Sequence, residues 1–298
     1  MTEFLQLTFE GLALGARYAL VALGFVIIYR ATGVINFAQG GLVVLGAYFA
    51  YQATQEWGLP FAVAVVFALA AVALVGLAIE RLILRWMVGQ PAFAVVMITI
   101  GILFVIEQLI STIWGPDSKN LGDPWGVDTV DVGGVVLAVA DLWTIGLTAA
   151  ALGAFFLFFR LSRYGLAMRA VAFDQEAALA QGISVRRVVA LSWAIAGTVA
   201  ALAGVMLSAG ATGVDPTISF IALAAFPAII LGGLDSPVGA VIGGAVIGVT
   251  QTLTAGYQPD IAPWLGNNFH VVMPYVVMVA VLLVRPYGLF GTPEVRRV

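Results

Sequence analysis

The sequence predicts an all-α, polytopic integral membrane protein of about eight or nine transmembrane segments with one long cytoplasmic loop. Three observations predict it. Hydrophobic residues make up 62% of the 298 residues and charged residues only 10%, against about 25% charged in a typical soluble domain. The apolar residues gather into runs of about 20, the length a helix needs to cross the hydrocarbon core. The basic residues fall almost entirely in a few of the gaps between those runs. Backbone amides cannot go unpaired in lipid, so the runs should be helices, and the alternation of a β-barrel is absent.

The runs lie at about 6–29, 34–53, 60–80, 94–114, 135–159, 188–210, 218–234, 238–257 and 269–285. The first contains Glu10 and Arg17, seven apart and so on one face, near an interface or satisfying each other. The second follows the short link Arg30 to Gly33 and holds Asn36, Gln39, Gly40, Gly41 and Gly46. It either crosses fully or is a broken, re-entrant helix, which would leave eight crossings and an N-terminus inside. Asn36 and Gln39 share a helical face beside two glycines that admit a close backbone. They line a pathway or mark a break, or else make interhelical hydrogen bonds.

In the fourth run Glu107 comes about two turns after Thr99, so both could face one side. An intramembrane carboxylate defaults to a functional reading, a pathway lining or an inter-subunit pair. The alternative is a glutamate paired with Arg17 or Arg30 inside the bundle. Ala196, Ala200 and Gly204 form a small-residue stripe at four-residue spacing, as do Gly239 with Gly243 and Gly244 with Gly248. These are helix-packing faces. The helix, the break at Asp235-Ser236-Pro237 and the Gly-rich helix of 218–257 faintly echo the order of 6–53, as internal repeats of transport folds do.

Orientation follows from arginine. Arg81, Arg85, Arg160, Arg163, Arg169, Arg186, Arg187, Arg285, Arg296 and Arg297 all fall on one side if every run crosses, and that side is the cytoplasm. The gap at 115–134 carries Asp117, Asp123, Asp128 and Asp131 against Lys119, which suits the outside. The N-terminus is then outside and the C-terminus inside. MTEFLQLTFEG lacks the basic n-region of a cleaved signal peptide, so the first span should remain.

Composition excludes several chemistries. There is no cysteine, and His270 cannot build a zinc site alone. The only lysine, Lys119, sits in PDSKN, so the chain has no G-x-x-x-x-G-K-[ST] loop and is not its own ATPase of that type. No nucleophile elbow, no HExxH helix and nothing suggesting nucleic-acid binding is present. No metal site, cofactor or enzymatic activity is expected.

The gap from Arg160 to Arg187, RLSRYGLAMRAVAFDQEAALAQGISVRR, is far longer than a connection requires. Asp174 can cap a short helix, with Glu176 favourable in its first turn. Ala177, Ala178 and Ala180 favour that helix and give it a small-residue surface. Gly182 suits the left-handed position that ends it. Ile183 then offers an exposed apolar knob. A short rigid helix of this kind fits a groove on a partner protein; the alternative is a basic amphipathic loop on anionic lipid.

The spacing Arg169-Ala170, Ala172, Asp174, Ala177 to Ala180, Gly182-Ile183 resembles the EAA-type coupling loop of ABC importer permeases. More narrowly, the chain resembles the branched-chain amino acid ABC transporter permease family, of the LivH type. ALGFVIIYRATGVINFAQGGLVVLGAY, Ala22 to Tyr48, is similar to that family's N-terminal signature, with Gln39 in its variable position. VLLVRPYGLFG, Val281 to Gly291, is similar to its tail. The resemblance implies one permease domain over residues 1–298, with 160–187 as its coupling loop, in the bacterial inner (plasma) membrane. It implies a second related permease, two cytoplasmic ATPase subunits that use the ATP, and an external solute-binding protein. The implied cargo is leucine, isoleucine or valine, and close relatives are associated with urea or short amides. Asp174, Glu176, Ala177, Gly182 and Ile183 are the expected ATPase contacts. Asn36, Gln39, Gly40, Thr99 and Glu107 are the expected path. A stand-alone secondary transporter is the rival reading, with Glu107 and Asp141 as its candidate ion-coupling groups.

Overall fold

The computed structural model describes residues 2–87, 90–126, 128–209, 213–266 and 268–292. Arg296 and Arg297, two of the arginines on which the expected orientation rests, lie outside the described residues. The helices are α1 Thr2–Thr32, α2 Gln39–Tyr51, α3 Phe61–Leu82, α4 Ala92–Trp114, α5 Val139–Leu161, α6 Arg163–Phe173, α7 Gln175–Ala180, α8 Val185–Ser208, α9 Ile221–Ala224, α10 Phe226–Gly232, α11 Pro237–Ile261 and α12 Phe269–Val284. Among the described residues, α1, α3, α4, α5, α8 and α11 are the six helices long and apolar enough to cross a membrane. The remaining three runs are shorter or interrupted. Run 34–53 becomes helical only at Gln39, and α2 continues through a π-helical turn, Gln52–Glu56. Run 218–234 is divided among a 3-10 turn Pro216–Phe220, α9 and α10. Pro227 in the first turn of α10 has no amide to donate backward and disfavours helix in the residue before it.

One element departs from the expected helix. Residues at the start of run 135–159 form a strand, and β1 Thr129–Val132 pairs antiparallel with β2 Val135–Ala138, Val132 opposite Val135. Gly133 and Gly134, with φ of +65° and +86°, make the two-residue turn whose twist matches the strands. The Gly-Gly between flanking valines is a hairpin signal that a reading by hydropathy passes over.

The chain divides into two compact units. One comprises Met1–Val26, Trp125–Thr148 and Leu223–Val298. Its packing rests on glycine. A Cβ placed on Gly248 of α11 would lie 2.3 Å from the Gly11 carbonyl oxygen, and one on Gly15 2.6 Å from that of Gly244. A Cβ on Gly239 would lie 2.1 Å from the Gly232 oxygen of α10. The small-residue stripes are therefore packing faces, as expected where lipid is as apolar as the helices and close backbone contact holds them together. The tail motif has a local physical role here. Leu289 N–H donates to Leu231 O (2.8 Å) and Phe290 N–H to Gly232 O (3.0 Å), satisfying carbonyls at the C-terminus of α10 that its own helix leaves free.

Arg17 pairs with Asp141 of α5 at 2.9 Å, and Glu10 accepts instead from Gln6 Nε2. Glu10 and Arg17 thus do not satisfy each other, and Arg17 is not the partner of Glu107. Asp141, with an arginine already on it, is a structural ion pair rather than a free ion-coupling group. The two side chains are 25% and 19% exposed, between the surface and fully buried cases. Replacing either partner alone (Arg17→Met or Asp141→Leu) is expected to cost about 1–3 kcal/mol and the double change less than the sum. Thermal unfolding of the four proteins in detergent checks this; additive losses would remove the pair from the account.

The other unit comprises Ile27–Pro124 and Ala149–Ala222. Here α8 packs on α2 and α3. Ala196 and Ala200 of the α8 stripe are fully buried, and a Cβ on Gly204 would lie 2.0 Å from the Val43 oxygen of α2. On α3 the buried positions Ala64, Ala68, Val72 and Gly76 recur every fourth residue, while Val63, Val66 and Leu74 are exposed. On α4, Thr99, Ile102, Ile106 and Ile110 are buried, and Phe93, Phe104 and Ile113 face outward. Exposed apolar faces of this kind suit lipid.

Candidate functional site

The break between α1 and α2 is held by side chains suited to it. Gly33, at φ +72°, ends α1 by donating to Tyr29 O at 2.7 Å, an αL cap that a Cβ would strain. Asn36 Oδ1 accepts from Ala38 N–H at 3.0 Å and the Asn36 carbonyl from Gln39 N–H, so Asn36 launches α2. Phe37 N–H donates to Thr99 Oγ1 at 3.1 Å, fastening the break to α4. The break at Gly233 to Ser236 uses the same devices. Gly233, φ +108°, donates to Ile229 O, and Ser236 Oγ accepts from Gly239 N–H at 3.0 Å.

Asn36, Gln39 and Thr99 are each at most 2% exposed. Asn36 Nδ2, Gln39 Oε1 and the Nε1 of Trp193, itself 1% exposed, have no hydrogen-bond partner among the described residues. Because the Ala38 amide can only donate, the orientation of the Asn36 carboxamide is determined and its nitrogen is the free end. Leaving such a group unpaired costs about 1–3 kcal/mol, so each calls for a reason.

Asn36, Thr99 and Trp193 line a cleft of about 140 Å³. Its remaining wall is largely aliphatic, from Ile28, Val34, Ile35, Val95, Val185 and Val189. Gln175 of α7 also lines it and donates through Nε2 to Ala31 O at 3.3 Å, at the last turn of α1. The path residues expected from sequence therefore separate. Asn36 and Thr99 meet in the cleft. Gln39 turns its amide nitrogen to Ala196 O at 3.5 Å on α8. Gly40 is a packing contact, since a Cβ there would lie 2.4 Å from Ser219 O. Glu107 lies half-exposed on the flank of the buried α4 stripe. Sequence reasoning does not find Trp193 and Gln175. A tryptophan in an apolar run reads as core, and a glutamine beside a capping aspartate reads as surface, until the fold puts both on one cleft.

The segment 160–187 forms two helices. Ser162 Oγ caps α6 by accepting from Gly165 N–H at 2.8 Å, and Asp174 Oδ1 caps α7 by accepting from Ala177 N–H at 2.9 Å. At the other end Ile183 N–H reaches Ala178 O (3.0 Å) and Gly182 N–H reaches Leu179 O (2.9 Å), with Gly182 at φ +80°. Glu176, Ala177 and Gly182 are exposed, but Ile183 is half-buried because its amide folds it back on α7. The exposed apolar side chains around α7 are Phe173, 94% exposed, and Leu179, 57% exposed. The guanidinium groups of Arg30 and Arg169 lie 5.2 and 5.3 Å from the centre of the Phe159 ring, and Arg169 also donates to the Phe159 carbonyl. These contacts join the ends of α1 and α5 to α6.

A family described as "Branched-chain amino acid transport system / permease component" matches residues 7–282. The high-affinity branched-chain amino acid transport system permease protein LivH of Escherichia coli (strain K12) is 32% identical over 312 residues, covering 99% of this chain and 98% of that protein. The corresponding BraD of Pseudomonas aeruginosa is 30% identical over 313 residues, with 99% and 98% covered. A probable branched-chain amino acid transport permease protein LivH of Methanocaldococcus jannaschii is 30% identical over 290 residues, with 91% and 88% covered. With a match across nearly its whole length and a set of long apolar helices, the chain is a multi-pass membrane protein and belongs to the permease component family of branched-chain amino acid transport systems.

Proposed function

We propose that this chain is one permease subunit of an ABC importer for leucine, isoleucine and valine in the bacterial inner membrane. It forms part of the passage with a second, related permease. Two cytoplasmic ATPases dock on the loop 160–187, and an external binding protein delivers the cargo. ATP is used by the ATPases, and this chain needs no cofactor of its own. The observation that carries the reading is the short capped helix α7, exposed on its outer side and bonded through Gln175 to the last turn of α1 beside the cleft. A push on α7 has a direct route to the cleft-lining end of α1. Family membership supports the cargo class, and a largely aliphatic cleft suits an apolar side chain better than urea or a short amide.

Uptake of labelled leucine into proteoliposomes tests this. The vesicles carry this chain, the second permease, the ATPases and the binding protein. Uptake should require ATP and be competed by isoleucine or valine. Leucine flux driven by an ion gradient through this chain alone would overturn it. Gly182→Arg places a side chain where φ is +80° and where α7 would meet its partner. It is expected to reduce ATP-driven uptake to background with membrane insertion intact, and normal uptake would remove the coupling role.

The same reading has the loop inside and, with α2 counted as a crossing, the N-terminus outside, for nine crossings. Residues 39–56, helical throughout, would extend about 27 Å, close to the hydrocarbon thickness. The chain has no cysteine, so single cysteines report cleanly. Glu3→Cys and Thr129→Cys should react with an impermeant maleimide from outside and Gln181→Cys only from inside. Reaction of Glu3→Cys from the same side as Gln181→Cys would establish eight crossings instead.

A further inference from the structure

We propose that the cleft beside the break is a station for the carboxylate of an aliphatic amino acid, held by the Asn36 amide nitrogen and the Trp193 indole nitrogen. The inference rests on the importer reading. Asn36 and Trp193 both line the cleft, and each carries a buried nitrogen that can only donate and has no partner among the described residues. Donors without acceptors ask for an anion or a carbonyl oxygen. No aspartate or glutamate is among the described residues lining the cleft, so no negative charge there would repel a carboxylate or pair with an ammonium.

Helix ends add to this. Val95 lies in the first turn of α4, Val185 and Val189 in the first two turns of α8, and Asn36 sits just before α2. The start of each helix carries the positive end of its dipole, while the Val95 amide itself is bonded to Pro91 O at 3.3 Å. Broken helices of transporters use such ends for anionic substrate groups. Ile28, Val34, Ile35 and Val189 supply an aliphatic wall for the side chain. The volume, about 140 Å³, is near the roughly 150 Å³ of an engineered apolar cavity that admits benzene, so a branched four-carbon side chain fits. The ammonium is left toward the mouth. Gln175 makes α7 part of the wall, so the same movement that answers the ATPases would reshape the station.

The test uses the assembled importer without its binding protein, in lipid nanodiscs, with saturation-transfer NMR. The probes are leucine, isovalerate (carboxylate without ammonium), isopentylamine (ammonium without carboxylate) and urea. Leucine and isovalerate should give mutually competing signals, and isopentylamine and urea none. Asn36→Asp keeps the oxygen that accepts from Ala38 N–H and replaces the free donor with a carboxylate oxygen. Trp193→Phe removes the indole nitrogen and part of the ring. Each should weaken isovalerate binding at least about tenfold, with the complex still assembling on size exclusion. Isovalerate binding unchanged in both variants, an equal signal from isopentylamine, or displacement by long-chain fatty acid without any leucine signal would overturn the station. ATP-driven leucine uptake with no isovalerate signal would also overturn it while leaving the importer reading intact. A complex that takes up no aliphatic amino acid at all would remove the reading beneath it.

Discussion

Changing Phe173 to glutamate and Leu179 to aspartate together is expected to stop ATP-driven leucine uptake while the protein still inserts and folds. Phe173 is 94% exposed and Leu179 57% exposed, so neither supports the fold it sits on. Their substitution removes almost nothing buried at Phe173 and only part of the packing of Leu179, and it strains no backbone. On the importer reading these exposed apolar side chains are what a groove on the ATPase covers. Anchors at protein interfaces are worth about 2 kcal/mol or more each, so losing two weakens docking by about 4 kcal/mol, roughly a thousandfold. Co-purification of the ATPases and uptake in proteoliposomes are the two readouts. Retained ATPase binding with normal uptake would show that α6 and α7 serve another purpose, such as lying on anionic lipid. Ile183, half-buried, is expected to matter less than either.

Gly204→Leu is expected to abolish accumulation of the folded protein, and Gly101→Leu to be harmless. Any Cβ at 204 would lie 2.0 Å from the Val43 carbonyl oxygen, and the opposing Gly46 would set one 2.3 Å from Ala201 Cα, so α2 and α8 touch backbone to backbone. Forcing bulk into such a contact costs about 1–3 kcal/mol and more when backbone rather than a side chain must yield. In lipid the helices have little else to hold them together. A Cβ on Gly101 would meet nothing within 4 Å, and lipid would accommodate the leucine. Detergent-extracted yield and fluorescence-detected size exclusion compare the two directly. Equal yields would mean that α2 and α8 do not depend on this approach.

The glycine stripes show how far a linear pattern reaches. Spacing of four identifies a packing face because a helix brings every fourth residue to one side. It does not name the partner. Gly204 meets α2 and Gly248 meets α1, and nothing local distinguishes them. The break at 33–38 behaves the same way. Gly33 and Asn36 announce a turn through their own backbone chemistry, and the turn is there. That Thr99 fastens it is a contact across 62 residues.

Hydropathy, arginine placement, caps and terminating glycines are properties of single residues or of neighbours within a few positions. They are sufficient for the helical membrane class, the short helix capped by Asp174 and the family resemblance, whereas α6 and its Ser162 cap come from the structure. The hairpin at Thr129–Ala138 is equally local, and hydropathy passes over it only because its valines count toward a span. Pairing and convergence are not local. Arg17 chooses Asp141 over Glu10 or Glu107, Ile183 folds back while Phe173 stays exposed, and Trp193 and Gln175 join Asn36 at one cleft. Each depends on which helices lie side by side. That is decided by backbone shape complementarity summed over whole helices, and no residue carries it alone.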